Sequence, residues 1–222
     1  MKNIAIILSG GVGKRFGASI PKQYSIINNQ ACIDYVIKAA KSAKSIDNII
    51  IAMDERYKEY SKELEDDRIE IVPKGETRYE SLNNAFERIV EKHKECKNII
   101  ILQAVSPLIY PELIDKYIEL LNENDCVITA RKLTGEIWTV TDVDKIFDRD
   151  KYYLMESPEA FRFKKIYDSF KIDFYSSELA YQLPKGCKKY LFFDFPENIK
   201  ITHKYELKIC EMLLKNNLID LN

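Results

Sequence analysis

The 222-residue chain has no apolar run that approaches a membrane span, no C-x-x-C spacing, no basic excess, and no internal repeat or low-complexity linker. Each absence removes a class of function. A spanning helix needs about 20 consecutive apolar residues. The N-terminal apolar stretch is cut short by Ser9-Gly10-Gly11, so it reads as a strand rather than a signal peptide, and a cytoplasmic location without membrane attachment is expected. The five cysteines, at 32, 96, 126, 187 and 210, are scattered, which gives little support to a disulfide framework or a zinc site. They read as small buried apolar residues. A net charge of -1 argues against a nucleic-acid or anionic-membrane binder, so any phosphate site must be local. With 46% hydrophobic and 31% charged residues, the composition is that of a soluble globular protein, and the length suits one domain over 1–222.

What the chain does have stands at its start. An apolar run, 4–8, flows into Ser9-Gly10-Gly11-Val12-Gly13-Lys14-Arg15-Phe16-Gly17, with Pro21-Lys22-Gln23-Tyr24 close behind. A buried strand ending in a glycine-rich basic loop presents backbone N–H groups and cations to a phosphate chain. The glycines allow close backbone approach, and Arg15 and Lys22 supply a guanidinium fork and a movable ammonium. The loop is not a P-loop, because Leu8 stands where its first glycine belongs and Arg15 where Ser or Thr belongs. The dinucleotide pattern G-x-G-x-x-G, started at Gly11, meets Phe16 at its third glycine. A bare glycine cluster could be an ordinary strand-to-helix turn; Arg15 and the Pro-Lys-Gln-Tyr segment separate this loop from that reading.

Apolar, β-branched runs recur at 4–8, 48–52, 69–72, 98–102 and 126–129, separated by segments of helical periodicity at 31–43, 79–90 and from Pro111 onward. This βαβ rhythm predicts an α/β, Rossmann-like fold: a mostly parallel sheet with helices on both faces and ligands beyond the carboxyl ends of the strands. From Lys132 the rhythm changes. Residues 135–141 and 151–154 read as two strands around an acidic turn at 142–150, a protruding β-arm at about 132–155. On it, Trp138, Tyr152 and Tyr153 suit either a partner surface or packing against their own domain. Helical segments near 162–171 and 176–183, a strand at 189–193 and an amphipathic C-terminal helix complete the reading.

The glycine-rich loop, Pro21-Lys22-Gln23-Tyr24, Gly75-Glu76-Thr77-Arg78-Tyr79-Glu80-Ser81, Asp148-Arg149-Asp150, Ser157-Pro158-Glu159-Ala160-Phe161-Arg162 and Asn198-Ile199-Lys200-Ile201-Thr202 occur in that order. Together they make the whole chain similar to the family of CTP-dependent cytidylyltransferases that includes the methylerythritol phosphate and ribitol phosphate enzymes. The resemblance implies that Arg15, Lys22 and Lys200 are catalytic and neutralise the triphosphate. It further implies nucleotide binding by Ser9, Gly10, Gly11, Val12, Gly13, Gly75, Arg78, Ser81 and Ala104. A magnesium ion bridging phosphates is implied as well, and a homodimer in which the arm completes the site, with Arg149 reaching the neighbour's substrate phosphate.

One stretch departs from the family pattern. Where the family carries His-Asp-Ala-(Ala or Val)-Arg-Pro, this chain reads Leu102-Gln103-Ala104-Val105-Ser106-Pro107. Gln103 supplies no anionic oxygen and Ser106 forms no guanidinium–phosphate fork. Gln103, Ser106, Arg149 and Arg131 are therefore the acceptor-side candidates, and Asp194 is a candidate to restore a carboxylate for the metal. The expected reaction is transfer of CMP from CTP to a small phosphorylated polyol or related monoester, for a surface polysaccharide precursor. The methylerythritol phosphate enzyme of isoprenoid synthesis is the alternative within the class. Outside it stand a catalytically inactive nucleotide-binding protein and a nucleotide-sugar glycosyltransferase. The latter needs an Asp-x-Asp motif at a central strand end, whereas 142–144 and 148–150 lie on the presumed arm.

Overall fold

In the computed structural model, the described residues are 1–11, 16–17, 20–142, 144–176 and 178–216. The first strand, β1 (Lys2–Leu8), has Ile4, Ala5, Ile6 and Ile7 wholly buried, as a strand covered on both faces requires. A short hairpin of β2 (Ile26–Ile27) and β3 (Gln30–Ala31) follows. Its two-residue turn places Asn28 and Asn29 at φ +44° and +71°, a left-handed conformation that asparagine tolerates. Helix α1 (Cys32–Ser42) buries Ile33, Val36, Ile37 and Ala40 along one stripe.

Strands β4 (Asn48–Met53) and β5 (Ile69–Pro73) precede α2 (Arg78–Lys92), whose N-cap Thr77 accepts the Glu80 N–H at 3.1 Å. Then come β6 (Cys96–Gln103), α3 (Pro111–Leu120), which has proline in its first turn, and β7 (Cys126–Lys132). The chain ends with β8 (Tyr153–Arg162), α4 (Phe163–Tyr167), β9 (Lys189–Phe192) and α5 (Lys204–Lys215).

Seven strands form one sheet in the order β5-β4-β1-β6-β8-β7-β9, parallel except for β8, which runs antiparallel to both of its neighbours. Side-chain alternation divides the apolar residues between two layers. Ala5, Ile7, Ile49, Ile51 and Ile100 pack with α1 and α3, whereas Ile4, Ile6, Ile50, Ile99 and Ile101 pack with α2 and α4. The expected mostly parallel sheet with helices on both faces is what forms. A third cluster, containing Phe16, Cys32, Val105, Leu108, Ile201 and Cys210, lies where the C-terminal segment meets the end of β6.

Three readings are corrected. The strand assigned to 151–154 is the opening of the long interior strand β8, and residues 135–141 carry no strand. Strand β8 escaped detection because Pro158 and the polar run around it argue against an interior strand. The structure accommodates them at a register shift, where Ile128 pairs with Glu159 and Thr129 with Glu156. The segments 162–171 and 176–183 are shorter than expected: α4 ends at Tyr167, and only a 3-10 turn spans Leu179–Gln182. Between β7 and β8 the chain leaves from the paired Lys132 and Tyr153. Its described part has a 3-10 turn at Arg149–Lys151 and exposes Trp138, Val140, Ile146 and Tyr152.

All five cysteines are free thiols. Burial pushes the Cys32 and Cys126 thiols up, and those of Cys96 and Cys210 to about 12, so these four behave as the apolar residues expected.

Phe86 sits at the centre of the α2 layer, edge-on to Phe163, Tyr167 and Phe170 with ring centroids 4.9–6.3 Å apart. Phe86→Ala is expected to lower unfolding free energy by about 3–5 kcal/mol in urea denaturation, through lost transfer and cavity terms. A loss below about 1 kcal/mol would show that this layer is not the principal core.

Candidate active site

Two cavities open side by side at the carboxyl ends of the parallel strands. The first, about 260 Å³, is walled by the loop after β1, the loop after β5, the N-terminus of α2 and the end of β6. Ser9, Gly10, Gly11, Gly75, Arg78 and Ser81 line it together with Lys22 and Lys200. Ser9, Gly10, Gly11 and Lys22 are thus brought to one space with Lys200 from opposite ends of the chain. Val12, Gly13 and Arg15 lie outside the described residues.

Close packing explains the glycines. A Cβ on Gly75 would overlap Glu80 Cβ and come within 2.8 Å of the Ser81 nitrogen, and one on Gly10 would sit 2.9 Å from Lys74 Cβ. In return, the Gly75 N–H donates to Ser81 Oγ at 2.9 Å, Ser81 Oγ donates to the Thr77 carbonyl at 3.0 Å, and the Glu76 N–H donates to Glu80 Oε2 at 2.7 Å. The turn between β5 and α2 is therefore tied to the helix it starts.

The β1 loop is held by Gln23. Its Nε2 donates to the Ser9 carbonyl at 2.7 Å and to the Gly11 carbonyl at 2.9 Å, and its side chain is buried. Tyr24 OH meets Ser9 Oγ at 3.2 Å, and the Tyr24 ring stacks on Tyr57 at 5.0 Å. Burial raises the Tyr24 phenol above its ordinary range, so it stays neutral. Gln23 and Tyr24 belong to the quoted Pro-Lys-Gln-Tyr motif, yet nothing in their residue types alone assigns them this structural task.

The second cavity, about 320 Å³, lies beyond Gln103 and Lys200, which line both spaces. Ser106 and Arg131 line it as well. Gln103 Nε2 donates to Ser157 Oγ at 2.5 Å. Arg131 is engaged with Glu156 at 2.6 Å, and Asn198 Nδ2 donates to Glu156 Oε2 at 2.9 Å and to the Ser157 carbonyl at 2.7 Å. Ser106 Oγ and Asn198 Oδ1 are buried without a hydrogen-bond partner in the structure. Sequence reasoning missed Glu156 and Asn198 as parts of this wall; the Asn-Ile-Lys-Ile-Thr context was the available signal for Asn198.

The remaining candidates stand elsewhere. Ala104 is buried in the α1 layer, its N–H donating to the Leu8 carbonyl at 3.1 Å and its carbonyl accepting from Cys32 Sγ at 3.3 Å, so it joins strands and lines neither cavity. Asp194 is exposed beyond β9 and lines neither cavity, with Tyr110 and Tyr117 among its electrostatic neighbours. Arg149 donates to the Thr134 carbonyl at 3.0 Å, lies 3.7 Å from Glu136, and also lines neither cavity. Among the described residues no group of three His, Cys, Asp or Glu side chains is placed to hold a metal ion, and no helix is long and apolar enough to cross a membrane.

Comparison with known proteins identifies the family and the fold. Residues 3–216 match the family model described as IspD, 2-C-methyl-D-erythritol 4-phosphate cytidylyltransferase. A bifunctional IspD/IspF enzyme of Pelagibacter ubique is 32% identical over 169 residues, covering 76% of this chain; the chain spans 45% of that relative's length. A ribitol-5-phosphate cytidylyltransferase of Vibrio parahaemolyticus is 27% identical, covering 96% of this chain and 95% of its own. The crystal structure of 4-diphosphocytidyl-2C-methyl-D-erythritol synthase from Anaerococcus prevotii superposes with a TM-score of 0.80 at 23% identity, covering 96% of this chain and 98% of the other. With its Rossmann-like sheet and paired cavities, the protein is a nucleotidyltransferase. The chain belongs to the 2-C-methyl-D-erythritol 4-phosphate cytidylyltransferase family.

Gln23→Leu removes the donor to two loop carbonyls while keeping the buried volume. It is expected to cost about 1–3 kcal/mol of stability in chemical denaturation, with faster hydrogen exchange confined to the β1 loop. Unchanged exchange there would show that the loop holds its shape without Gln23.

Proposed function

We propose that the protein transfers the cytidylyl group of CTP to a small phosphorylated acceptor, a polyol phosphate or related monoester, and releases pyrophosphate in the making of a surface polysaccharide precursor. The observation that carries this reading is the pair of adjoining cavities with Lys200 and Gln103 on their shared wall. The nucleotide takes the glycine-lined space and the acceptor the polar one, so that bond exchange occurs at the junction. An acceptor phosphate oxygen attacks the α-phosphorus in line, and the bond from that phosphorus to the bridging oxygen of pyrophosphate breaks. The acceptor monoester is already anionic near neutral pH, so no strong base is needed, and catalysis rests on positioning and charge neutralisation.

Lys22 neutralises the triphosphate from the β1 side, Lys200 neutralises charge at the α-phosphate, and Arg15 adds a third cation. The loop from Ser9 to Gly13 cradles the phosphates, while Gly75, Arg78 and Ser81 read the base. Ala104 enters this reading only through the backbone bond that fixes the β1 loop to β6. Magnesium, when bound, supplies further neutralisation of the phosphate oxygens. The described residues do not form a protein cage for it: Glu76 is the one carboxylate lining the first cavity and is almost fully exposed, at 91%. Magnesium is therefore taken to arrive with CTP on substrate oxygens, its usual habit; Asp194 has no part in this reading.

On the acceptor side, Ser106, Gln103 and Arg131 contact the polyol phosphate. The absence of a carboxylate at 103 and a guanidinium at 106 weakens the reading as a 2-C-methyl-D-erythritol 4-phosphate enzyme and leaves the choice of acceptor to the assay. A homodimer of cytoplasmic protein is part of the proposal. Its support is the exposed Trp138, Val140, Ile146 and Tyr152 on the connection between β7 and β8, which suits a partner surface. Arg149 on that connection then serves the partner's acceptor.

A pyrophosphate-release assay with CTP and an acceptor panel containing ribitol 5-phosphate and 2-C-methyl-D-erythritol 4-phosphate tests the reaction. Lys22→Ala and Lys200→Ala are each expected to lower kcat by about 10²–10³-fold with unchanged thermal melts. Turnover with UTP or ATP but not CTP would overturn the base assignment, and no pyrophosphate with any acceptor would favour a nucleotide-binding protein without catalysis.

Light scattering should give twice the monomer mass. In the same assay, Arg149→Ala should raise the acceptor KM while leaving the KM for CTP unchanged; an active monomer would overturn the dimer.

A further inference from the structure

The proposed reaction leaves unused the carboxylate of Glu159, in the Ser157-Pro158-Glu159-Ala160-Phe161-Arg162 motif. It lies on β8, in the interior of the sheet, with a side chain 1% exposed. Its Oε1 accepts from Arg78 Nη2 at 2.9 Å across 81 residues of sequence. Arg78 is the first residue of α2 and a lining residue of the first cavity, with its own side chain 23% exposed. The ion pair therefore runs from the dry interior of the sheet to the wall of the nucleotide space.

A carboxylate this deeply buried is costly to leave unpaired, and removing one partner of such a pair is far more disruptive than the pair is stabilising. Rotation of Arg78 away from the cavity wall would strand Glu159 in the sheet. The guanidinium is planar, with donors in a rigid fork, so fixing Nη2 on a buried oxygen restricts the orientation of the whole group. We propose that Glu159 is the positioning residue that orients Arg78 for nucleotide binding, an inference that rests on the reading of the first cavity as the CTP site. The pair serves specificity of geometry rather than net stability.

The environment gives this role a distinctive pH signature. Burial raises the Glu159 carboxyl above its ordinary range, opposed by the attraction of Arg78 and by the Ala180 amide and reinforced by Glu178. Among the described residues, Tyr79 on α2 and Cys126 on β7 also sense Glu159, and both are pushed upward by burial and so neutral across the range of interest. As pH falls, Glu159 takes up a proton, the charge holding Arg78 disappears, and nucleotide binding weakens.

The test compares Glu159→Gln with wild type by steady-state kinetics and by calorimetric CTP binding between pH 5 and 8, on the full chain. Glu159→Gln is expected to raise the KM and Kd for CTP about tenfold at pH 7.5 with kcat within twofold, the pattern of lost uniform binding. The weakening of wild-type binding on acidification should be absent in the variant. In an Arg78→Lys background, Glu159→Gln should add less than twofold, because its effect passes through the guanidinium. Unchanged CTP affinity in Glu159→Gln, full additivity with Arg78→Lys, or a pH profile identical to wild type would each overturn the proposal. Should Glu159→Gln fail to fold, wild-type Kd against pH decides: a flat profile overturns the proposal. Turnover of a nucleotide other than CTP by wild type overturns the base assignment alone, and the coupling is then read with that nucleotide.

Discussion

The site depends on one docking interaction, the attachment of the C-terminal segment to the end of β6. The Ile201 N–H donates to the Val105 carbonyl at 2.9 Å, and the Ile201 side chain is wholly buried with Phe16, Cys32, Leu108 and Cys210. That small apolar cluster is distinct from the two layers that cover the sheet. It sets Lys200, one residue before the anchor, on the wall shared by the cavities. The apolar contacts supply the driving force, and the backbone bond supplies the register. Helix α5 then secures the segment: Glu206 accepts the N–H groups of Thr202 and His203, at 2.5 and 2.7 Å, at its N-terminus.

A second organising device is the use of uncharged polar side chains to fix the loops that line the first cavity. Gln23 holds the β1 loop through carbonyl oxygens, and Ser81 Oγ closes the turn at Gly75. Neither brings negative charge to the first cavity. Three carboxylates near the cavities are occupied: Glu159 by Arg78, Glu156 by Arg131 and Asn198, Glu206 by the N–H groups of Thr202 and His203.

The parallel half of the sheet was legible in the sequence because its strands are continuous apolar runs and its helices carry clean stripes. That Ser9, Gly10, Gly11, Lys22, Gly75, Arg78, Ser81 and Lys200 line one cavity accords with the ordered motifs that carry the family resemblance, although the roles proposed for them go beyond that placement. What escaped detection was structure defined by tertiary context. Strand β8 hides behind Pro158, which only a register shift makes compatible with an interior position. The Asn28-Asn29 turn carried a recognisable hairpin signal that went unread. Asp194 looked suitable by nearness to Lys200 in sequence, but β9 ends at Phe192 and the intervening turn leaves the carboxylate exposed outside both cavities. The task of Gln23 was invisible because an amide side chain does not reveal which carbonyls it will meet.

The division of labour along the chain has an evolutionary meaning. The first cavity is built almost wholly from the N-terminal half, whereas the second draws on β7, β8 and the segment before α5. Under the proposed assignment, substitutions in the latter group would reshape the acceptor space and leave the lining of the first cavity as it is. Gln103 and Lys200 are the exceptions, since a change in either alters the lining of both cavities at once. The shared wall therefore acts as a hinge of constraint: a lineage can rewrite one room freely, but it must negotiate every alteration of the doorway.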